Sequence, residues 1–304
     1  MDELSEEGIR RTIEDYISSS PDAFIEIGFY GGSFTGISIE EQRWYLEIGY
    51  SYVKQGKVQQ MRLSTRPDYI NNQILDFLAE YKVKTIELGA QSLDQQVLSC
   101  SNRGHDIESV VRAAHLIKEK GFALGIQTMV GLPGDTREKA ILTAKKVIEL
   151  KPDIVRIYPT LVIKNTYLQK LYETGKYLPL SLEEAVDICA QLLELYEGDN
   201  INVIRIGLQP TDNINEGGEV VAGPFHPAFR QLVQSRLMGN KLAEYFQENN
   251  LYKVRELSIE CNSGNISNII GQKRENIEKL KSRFGIGEIK VKLNENIRLF
   301  NVKT

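Results

Sequence analysis

Polar and glycine residues recur in this sequence wherever a short apolar run ends. Phe29-Tyr30-Gly31-Gly32-Ser33-Phe34-Thr35-Gly36 sets two adjacent glycines and two hydroxyls after one such run. Paired glycines let a backbone approach a ligand closely and expose its N–H and C=O groups. Leu63-Ser64-Thr65-Arg66-Pro67-Asp68 offers two hydroxyls and a guanidinium suited to a ribose or a carboxylate, with Pro67 keeping Arg66 extended. The same residues also suit a capped helix start with a surface arginine. In Ile86-Glu87-Leu88-Gly89-Ala90-Gln91-Ser92, Glu87 stands inside an apolar run and must face a polar site or find a partner. Gln91 sits where that run opens. In Asn102-Arg103-Gly104-His105, Arg103 can reach an anionic group, while His105 can instead cap the helix that follows.

Two further runs carry the same signal. Gln127 is polar within Gly125-Ile126-Gln127-Thr128-Met129-Val130, and Gly131 and Gly134 then flank Pro133 in a loop suited to an approaching flat ring. Asp135 or Thr136 can cap the next helix. Arg156 and Tyr158 lie two apart in Val155-Arg156-Ile157-Tyr158, so on a strand they point the same way. Lys164 is a candidate contact to an anionic substrate, and Arg205 with Gln209 repeats the theme after a sixth run.

The elements that must position these residues alternate. Strands are expected at Phe24–Tyr30, Gln60–Thr65, Thr85–Gly89, Ala123–Val130, Ile154–Tyr158 and Asn202–Gly207, with helical patterns between them. Such alternation predicts parallel βα units, and six of them favour a partial (βα)6 TIM-like barrel over a short doubly wound sheet. In such barrels chemistry sits at the carboxyl ends of the strands, where the polar and glycine signals fall. A loop is expected over Thr211–Gly218 and a further helix over Phe229–Phe246. Beyond Leu251 the order becomes strand Lys253–Glu260, helix Ile266–Phe284, strand Glu288–Leu293 and strand Ile297–Val302. The expected organisation is therefore a barrel over residues 1–249 and a small α+β appendage over residues 250–304.

Composition excludes several classes. The 304 residues carry a net charge of −4, which gives no argument for bulk nucleic-acid binding but leaves local basic patches open. No stretch approaches the roughly 20 apolar residues of a membrane span, and the acidic start Met1-Asp2-Glu3 is not a secretory signal. Cys100, Cys189 and Cys261 are odd in number, far apart and without metal-ligand spacing, so a reducing cytoplasmic setting is expected and no metal site.

Taken in order, these segments resemble the radical S-adenosylmethionine (radical SAM) superfamily. The stretch Tyr158–Leu168, then Leu171 and Gly175-Lys176-Tyr177, is similar to one in the catalytic subunit of the elongator complex and its bacterial relatives. So are Glu87–Ser92 with Asn102–His105, and Ile204–Gln209; the likeness covers about residues 5 to 240. Oxygen-independent coproporphyrinogen oxidase shares the Gly-Gly, Gln-Ser and Gly-Leu-Pro elements. The resemblance implies that Gly31, Gly32 and Ser33 meet the amino group and methionine part of S-adenosylmethionine. It implies that Ser64 lies near the ribose or carboxylate, that Gln91 and Arg103 contact both, and that Gln127 faces the ribose, with Gly131 opening the neighbouring loop. Relatives often carry an acid where Ser64 and Gln127 stand. Arg156, Tyr158, Lys164 and Arg205 are the expected substrate contacts.

The resemblance further implies a Cys-x-x-x-Cys-x-x-Cys loop after the barrel's first strand. Its thiolates hold three irons of a 4Fe-4S cluster, whose fourth iron binds S-adenosylmethionine and cleaves it reductively to a 5′-deoxyadenosyl radical. Residues 1–99 contain no cysteine, and Met1 falls just after the expected loop. The chain is thus expected to lack the first strand and the cluster ligands, and to be inactive by itself. With so few residues after the barrel, the elongator family's acetyltransferase domain is also expected to be absent. The appendage segment Gly271-Gln272-Lys273-Arg274 resembles the Gly-x-x-Gly turn of KH modules, with Arg274 in place of the second glycine. Lys273, Arg274, Lys279, Lys281 and Arg283 could touch phosphates there, or form a solvated helix face.

Three readings follow. The first is a radical SAM enzyme core acting on RNA, such as tRNA, or on a related substrate. The second is a porphyrinogen-type radical SAM oxidoreductase. The third is a cluster-free RNA-binding or scaffold protein.

Overall fold

The computed structural model describes residues 5–20, 22–208 and 218–303. Gln209 and residues 211–217 of the loop expected over Thr211–Gly218 lie outside them. The strands are β1 (Glu26–Phe29), β2 (Gln60–Thr65), β3 (Val83–Gln91), β4 (Ala123–Val130), β5 (Ile154–Pro159), β6 (Val162–Ile163), β7 (Asn202–Ile206), β8 (Val220–Ala222), β9 (Glu256–Cys261), β10 (Glu288–Leu293) and β11 (Asn301–Lys303). The helices are α1 (Glu6–Ser19), α2 (Ile39–Lys54), α3 (Asn72–Glu80), α4 (Gln95–Cys100), α5 (Ile107–Glu119), α6 (Arg137–Glu149), α7 (Tyr167–Glu173), α8 (Leu182–Gly198), α9 (Phe229–Glu248), α10 (Ile266–Ile270) and α11 (Glu275–Phe284).

All six expected strands form, as one parallel sheet in the order β1-β2-β3-β4-β5-β7. Strand order follows chain order, the pattern of successive βα units curling into a half-barrel. The alternation is supported by helix starts that are chemically marked. Ser38 with Glu41 and Ser181 with Glu184 make reciprocal capping boxes before α2 and α8, satisfying backbone N–H groups that a helix start leaves unpaired. β3 is buried along almost its whole length, as a central parallel strand must be.

The chain divides into two compact units. The first comprises Met1–Met129, Leu142–Arg156 and Asn200–Ile204. Its core holds Leu46, Met61, Leu63, Leu75, Leu78, Ile86 and Leu88, all without exposed surface. α1 packs Ile9, Ile13 and Ile17 on Ile48, Tyr52 and Val58. β1 is an edge strand, and on its side lies a cavity of about 830 Å³ lined by Ile9, Ile13, Tyr16, Phe24, Ile27 and Tyr30 among others.

The second unit comprises Val130–Ile141, Ile157–Asp199 and Arg205–Thr304. Its carboxyl-terminal part is a three-stranded sheet in which β9 pairs parallel with β10 and antiparallel with β11. Two local expectations change there. The helix expected over Ile266–Phe284 is two helices, because Gly271 (φ 75°), Lys273 (φ 50°) and Arg274 (φ 66°) leave helical geometry between them. The last strand is Asn301–Lys303 rather than Ile297–Val302. The helix before the expected boundary at residues 249–250 also belongs with the appendage: Met238, Leu242 and Phe246 of α9 share one core with Leu257, Ile277 and Phe284. Asn276 locks that joint by donating to the Ser235 carbonyl at 2.8 Å and the Asn268 carbonyl at 2.9 Å.

Candidate functional site

In the first unit, five consecutive strands contribute to one polar layer. Glu87 on β3 is 1% exposed and sits at its centre. Tyr30, just beyond β1, donates its hydroxyl to Glu87 Oε1 at 2.7 Å, and Gln127 Nε2 on β4 donates to Oε2 at 2.8 Å. Arg156 on β5 places Nε 2.7 Å from Oε2, and its Nη2 donates to Oε1 at 3.0 Å and to the Tyr30 hydroxyl at 2.8 Å. Arg62 on β2 stands 3.6 Å from Glu87 and 3.4 Å from Glu26. Burial alone would push the Glu87 carboxyl up; the hydrogen bonds from Arg156, Gln127 and Tyr30 outweigh that and hold it below its ordinary value. The same burial and the bond to Glu87 raise the Tyr30 phenol.

Two glycines make room for this layer. A Cβ on Gly125 would lie 2.6 Å from Glu87 Cγ, and one on Gly28 would lie 2.4 Å from the Tyr30 ring. At both positions only a residue without a side chain lets the polar group cross at that level.

Around the strand ends of the same unit, Arg103 stands out. Its Nε is buried without a hydrogen-bond partner, and its Nη2 meets only the Met129 sulfur, at 3.1 Å. Among the described residues no carboxylate pairs with it. Burial, and then the nearby charge of Arg66, push its guanidinium below the ordinary value. A buried cation without a counter-charge is costly, and an anion placed there would offset that cost. Arg66 itself is committed: it makes two bonds to Asp68, at 2.7 and 3.0 Å, and one to the Gly104 carbonyl at 2.9 Å. Gly104 has φ 74°, and a Cβ there would meet the Arg66 guanidinium at 2.9 Å. His105 does not cap the next helix. Its Nε2 lies 3.1 Å from the Ala90 carbonyl oxygen, and Asp106 takes the cap, accepting from the Ser109 N–H at 2.8 Å.

Each sequence-predicted residue can now be placed. Gly31 (φ 103°) and Gly32 follow β1 with nothing within 4 Å of where a Cβ would stand, so their backbone is open to a ligand. Ser33 precedes the turn Phe34–Gly36 and makes no capping bond. Ser64 is half-buried on β2, whereas the Thr65 hydroxyl is consumed by Thr35 at 2.6 Å. Gln91 ends β3 with φ 62°, a left-handed conformation rare for a non-glycine residue, and the pairing with β4 slips there. Gln127 has given its amide N–H to Glu87, which leaves the amide oxygen for a ligand. Arg156, expected to meet substrate, is 8% exposed and bound into the Glu87 layer.

In the second unit, Gly131 (φ 77°) is clamped from both sides. Its N–H donates to Asp135 Oδ2 at 2.8 Å, and its carbonyl accepts from the Tyr177 hydroxyl at 2.6 Å. Burial and the Asp135 charge push the Tyr177 phenol up to about 12, so it stays a donor. Tyr158 and Arg205 are half-buried on β5 and β7, and Lys164 is exposed after β6. Sequence reasoning missed Tyr30, Arg62 and Tyr177. The lone Glu87 in an apolar run was the available signal for the first two; Tyr177 stood in the Gly175-Lys176-Tyr177 stretch of the family resemblance, with nothing to assign it a bond to Gly131.

The described residues hold no group of three or more His, Cys, Asp or Glu side chains able to bind a metal. Cys100 is exposed at the end of α4, while Cys189 and Cys261 are buried, with burial raising both thiols. No helix among the described residues is long and apolar enough to cross a membrane.

Comparison with known proteins fits this geometry. The profile of the Radical SAM superfamily matches residues 1–147, and that of the Radical_SAM C-terminal domain matches residues 152–239. A tRNA uridine(34) acetyltransferase of Methanocaldococcus jannaschii is 30% identical over 184 residues, covering 54% of this chain and 34% of that protein. Elongator complex protein 3 of Saccharomyces cerevisiae is 34% identical over 165 residues, covering 53% of this chain and 29% of that protein. The chain thus spans about a third of the length of these relatives. Among solved structures, the archaeal Methanocaldococcus infernus Elp3 with an amino-terminal deletion superposes with a TM-score of 0.64 at 23% identity, covering 82% of this chain and 61% of that one. The chain belongs to the radical SAM superfamily of enzymes.

Proposed function

We propose that this chain is the adenosyl-binding, substrate-facing core of a radical SAM enzyme that acts on RNA. The observation that carries the first half is Arg103, a largely buried guanidinium with no carboxylate of its own. The carboxylate of S-adenosylmethionine supplies the missing counter-charge. The open backbone of Gly31 and Gly32, with Ser33, takes the methionine amino group. Ser64, Gln91 and the amide oxygen of Gln127 serve the ribose. When bound and reductively cleaved, S-adenosylmethionine supplies a hydrogen-abstracting radical.

The 4Fe-4S cluster that drives such cleavage in the superfamily does not fit the residues present. Three separated cysteines, two of them buried, offer no thiolate triad. This chain's own contribution is therefore binding and orientation. The Glu87 layer keeps Gln127 and Tyr30 in fixed positions, since three bonds hold one carboxylate. The RNA half of the proposal is supported by the relatives named for tRNA uridine modification. Tyr158, Lys164 and Arg205 are the proposed substrate contacts.

Isothermal calorimetry with S-adenosylmethionine tests the ligand assignment. Without an anchoring iron the affinity is expected to be weak, and Arg103→Ala should weaken it further by roughly tenfold or more, the value of a charge-assisted hydrogen bond. An Arg103→Ala variant that binds as tightly as the parent contradicts the assignment.

A further inference from the structure

α7 is a helix that its own fold does not explain. None of its residues is buried. Leu168 and Leu171 are half-covered on the inner side, while Tyr167 is 63% and Tyr172 36% exposed, and Leu178 just beyond is 88% exposed. Lys164, Lys170 and Lys176 are also exposed, and none of them forms an ion pair among the described residues. Tyr167 and Lys170 stand three apart and so share one helix face. The opposing charge in this stretch is Glu173, which accepts from Gln169 at 2.8 Å. The stretch is cationic in a chain whose net charge is −4.

The stretch is nevertheless held firmly. At its start, Lys164 N–H donates to the Glu219 carbonyl at 2.8 Å, and Thr166 caps α7 by accepting from the Gln169 N–H at 3.3 Å. At its end, Lys176 and Tyr177 N–H both return to the Leu171 carbonyl, at 2.8 and 3.1 Å, and the Tyr177 hydroxyl ties to Gly131 at 2.6 Å. A rigid platform that shows aromatic rings and unpaired ammonium groups to water has a defined use. Ring faces stack on unpaired bases, and the ammonium groups neutralise the phosphates between them. A protein partner would be expected to meet a more continuous apolar patch without three unpaired cations.

We infer that the segment from Lys164 to Leu178 is an RNA-contact platform for single-stranded nucleotides, with Tyr167 and Tyr172 stacking on bases and Lys164, Lys170 and Lys176 contacting phosphates. This rests on the RNA reading proposed above and names where on the chain that substrate touches.

Fluorescence anisotropy with a labelled single-stranded RNA oligonucleotide and with bulk tRNA tests it. All the substituted side chains are exposed, so the variants should fold, as far-UV circular dichroism can check. Tyr167→Ala/Tyr172→Ala should weaken binding about tenfold or more. Lys164→Ala/Lys170→Ala/Lys176→Ala should reduce the slope of log affinity against log salt by about two. Lys290→Ala/Lys292→Ala, on β10, should change neither. If the parent chain binds no RNA, both this inference and the RNA reading fall. If the parent binds and both platform variants bind equally well, the RNA reading stands and the platform is overturned, which returns the patch to a protein partner.

Discussion

Arg103 and Glu87 are opposite solutions to one problem, that of keeping a charge out of water. Glu87 is bonded by Arg156, Gln127 and Tyr30, whereas among the described residues Arg103 meets only the Met129 sulfur and no carboxylate. The first arrangement builds structure, and the second is the one the proposed ligand carboxylate would complete. Removing the carboxylate would strand Arg156 in a site where it is 8% exposed. Glu87→Ala should therefore cost about 3–5 kcal/mol in urea unfolding. The pH dependence has a definite sign. Because Glu87 titrates below its ordinary 4.5 in the folded chain, its stabilisation is fully present above that value and is lost as pH falls through the lower folded value. The acid limb of the stability curve should be shallower for Glu87→Gln than for the parent; identical limbs would place the titrating group elsewhere. At this scale much was legible. A lone acid in an apolar run had to find a partner, and an arginine before a glycine was free to turn toward an anion. The partners themselves were not legible, because Tyr30 and Arg156 lie 57 and 69 residues from Glu87 and only the sheet brings them together.

At the scale of elements, polar periodicity and capping residues carried the βα order of the barrel. All six strands form where alternation placed them, since each is bounded by a capped helix or a glycine turn. The glycines that separate elements were harder to read. Gly125 looks like any strand glycine until Glu87 is seen crossing it. Gly125→Ala should push Glu87 aside and lower the thermal midpoint by several degrees, whereas Gly121→Ala, in open space but at φ 80°, should cost only the backbone strain. Equal losses for the two would remove the steric argument. The break at residues 271–274 was half legible: the Gly-x-x-x pattern suggested a turn, yet helical periodicity ran straight through it. Lys273 and Arg274 adopt left-handed geometry that no propensity would assign to them. α9 illustrates the reverse, a helix whose covered face serves the sheet that follows it in sequence as much as what precedes it.

Across the whole molecule, function and fold separate. The six parallel strands of a radical SAM half-barrel form here in a sequence whose three cysteines are scattered. The adenosyl amino acid site proposed above would draw on three features of the first unit: open glycine backbone after β1, left-handed Gln91 at the end of β3, and Arg103, which no carboxylate pairs with among the described residues. Backbone amide chemical-shift mapping during titration with S-adenosylmethionine tests this most directly. The account predicts that the largest shifts fall on Gly31, Gly32, Gln91 and Arg103; shifts confined to other parts of the chain, or none at millimolar ligand, would contradict it.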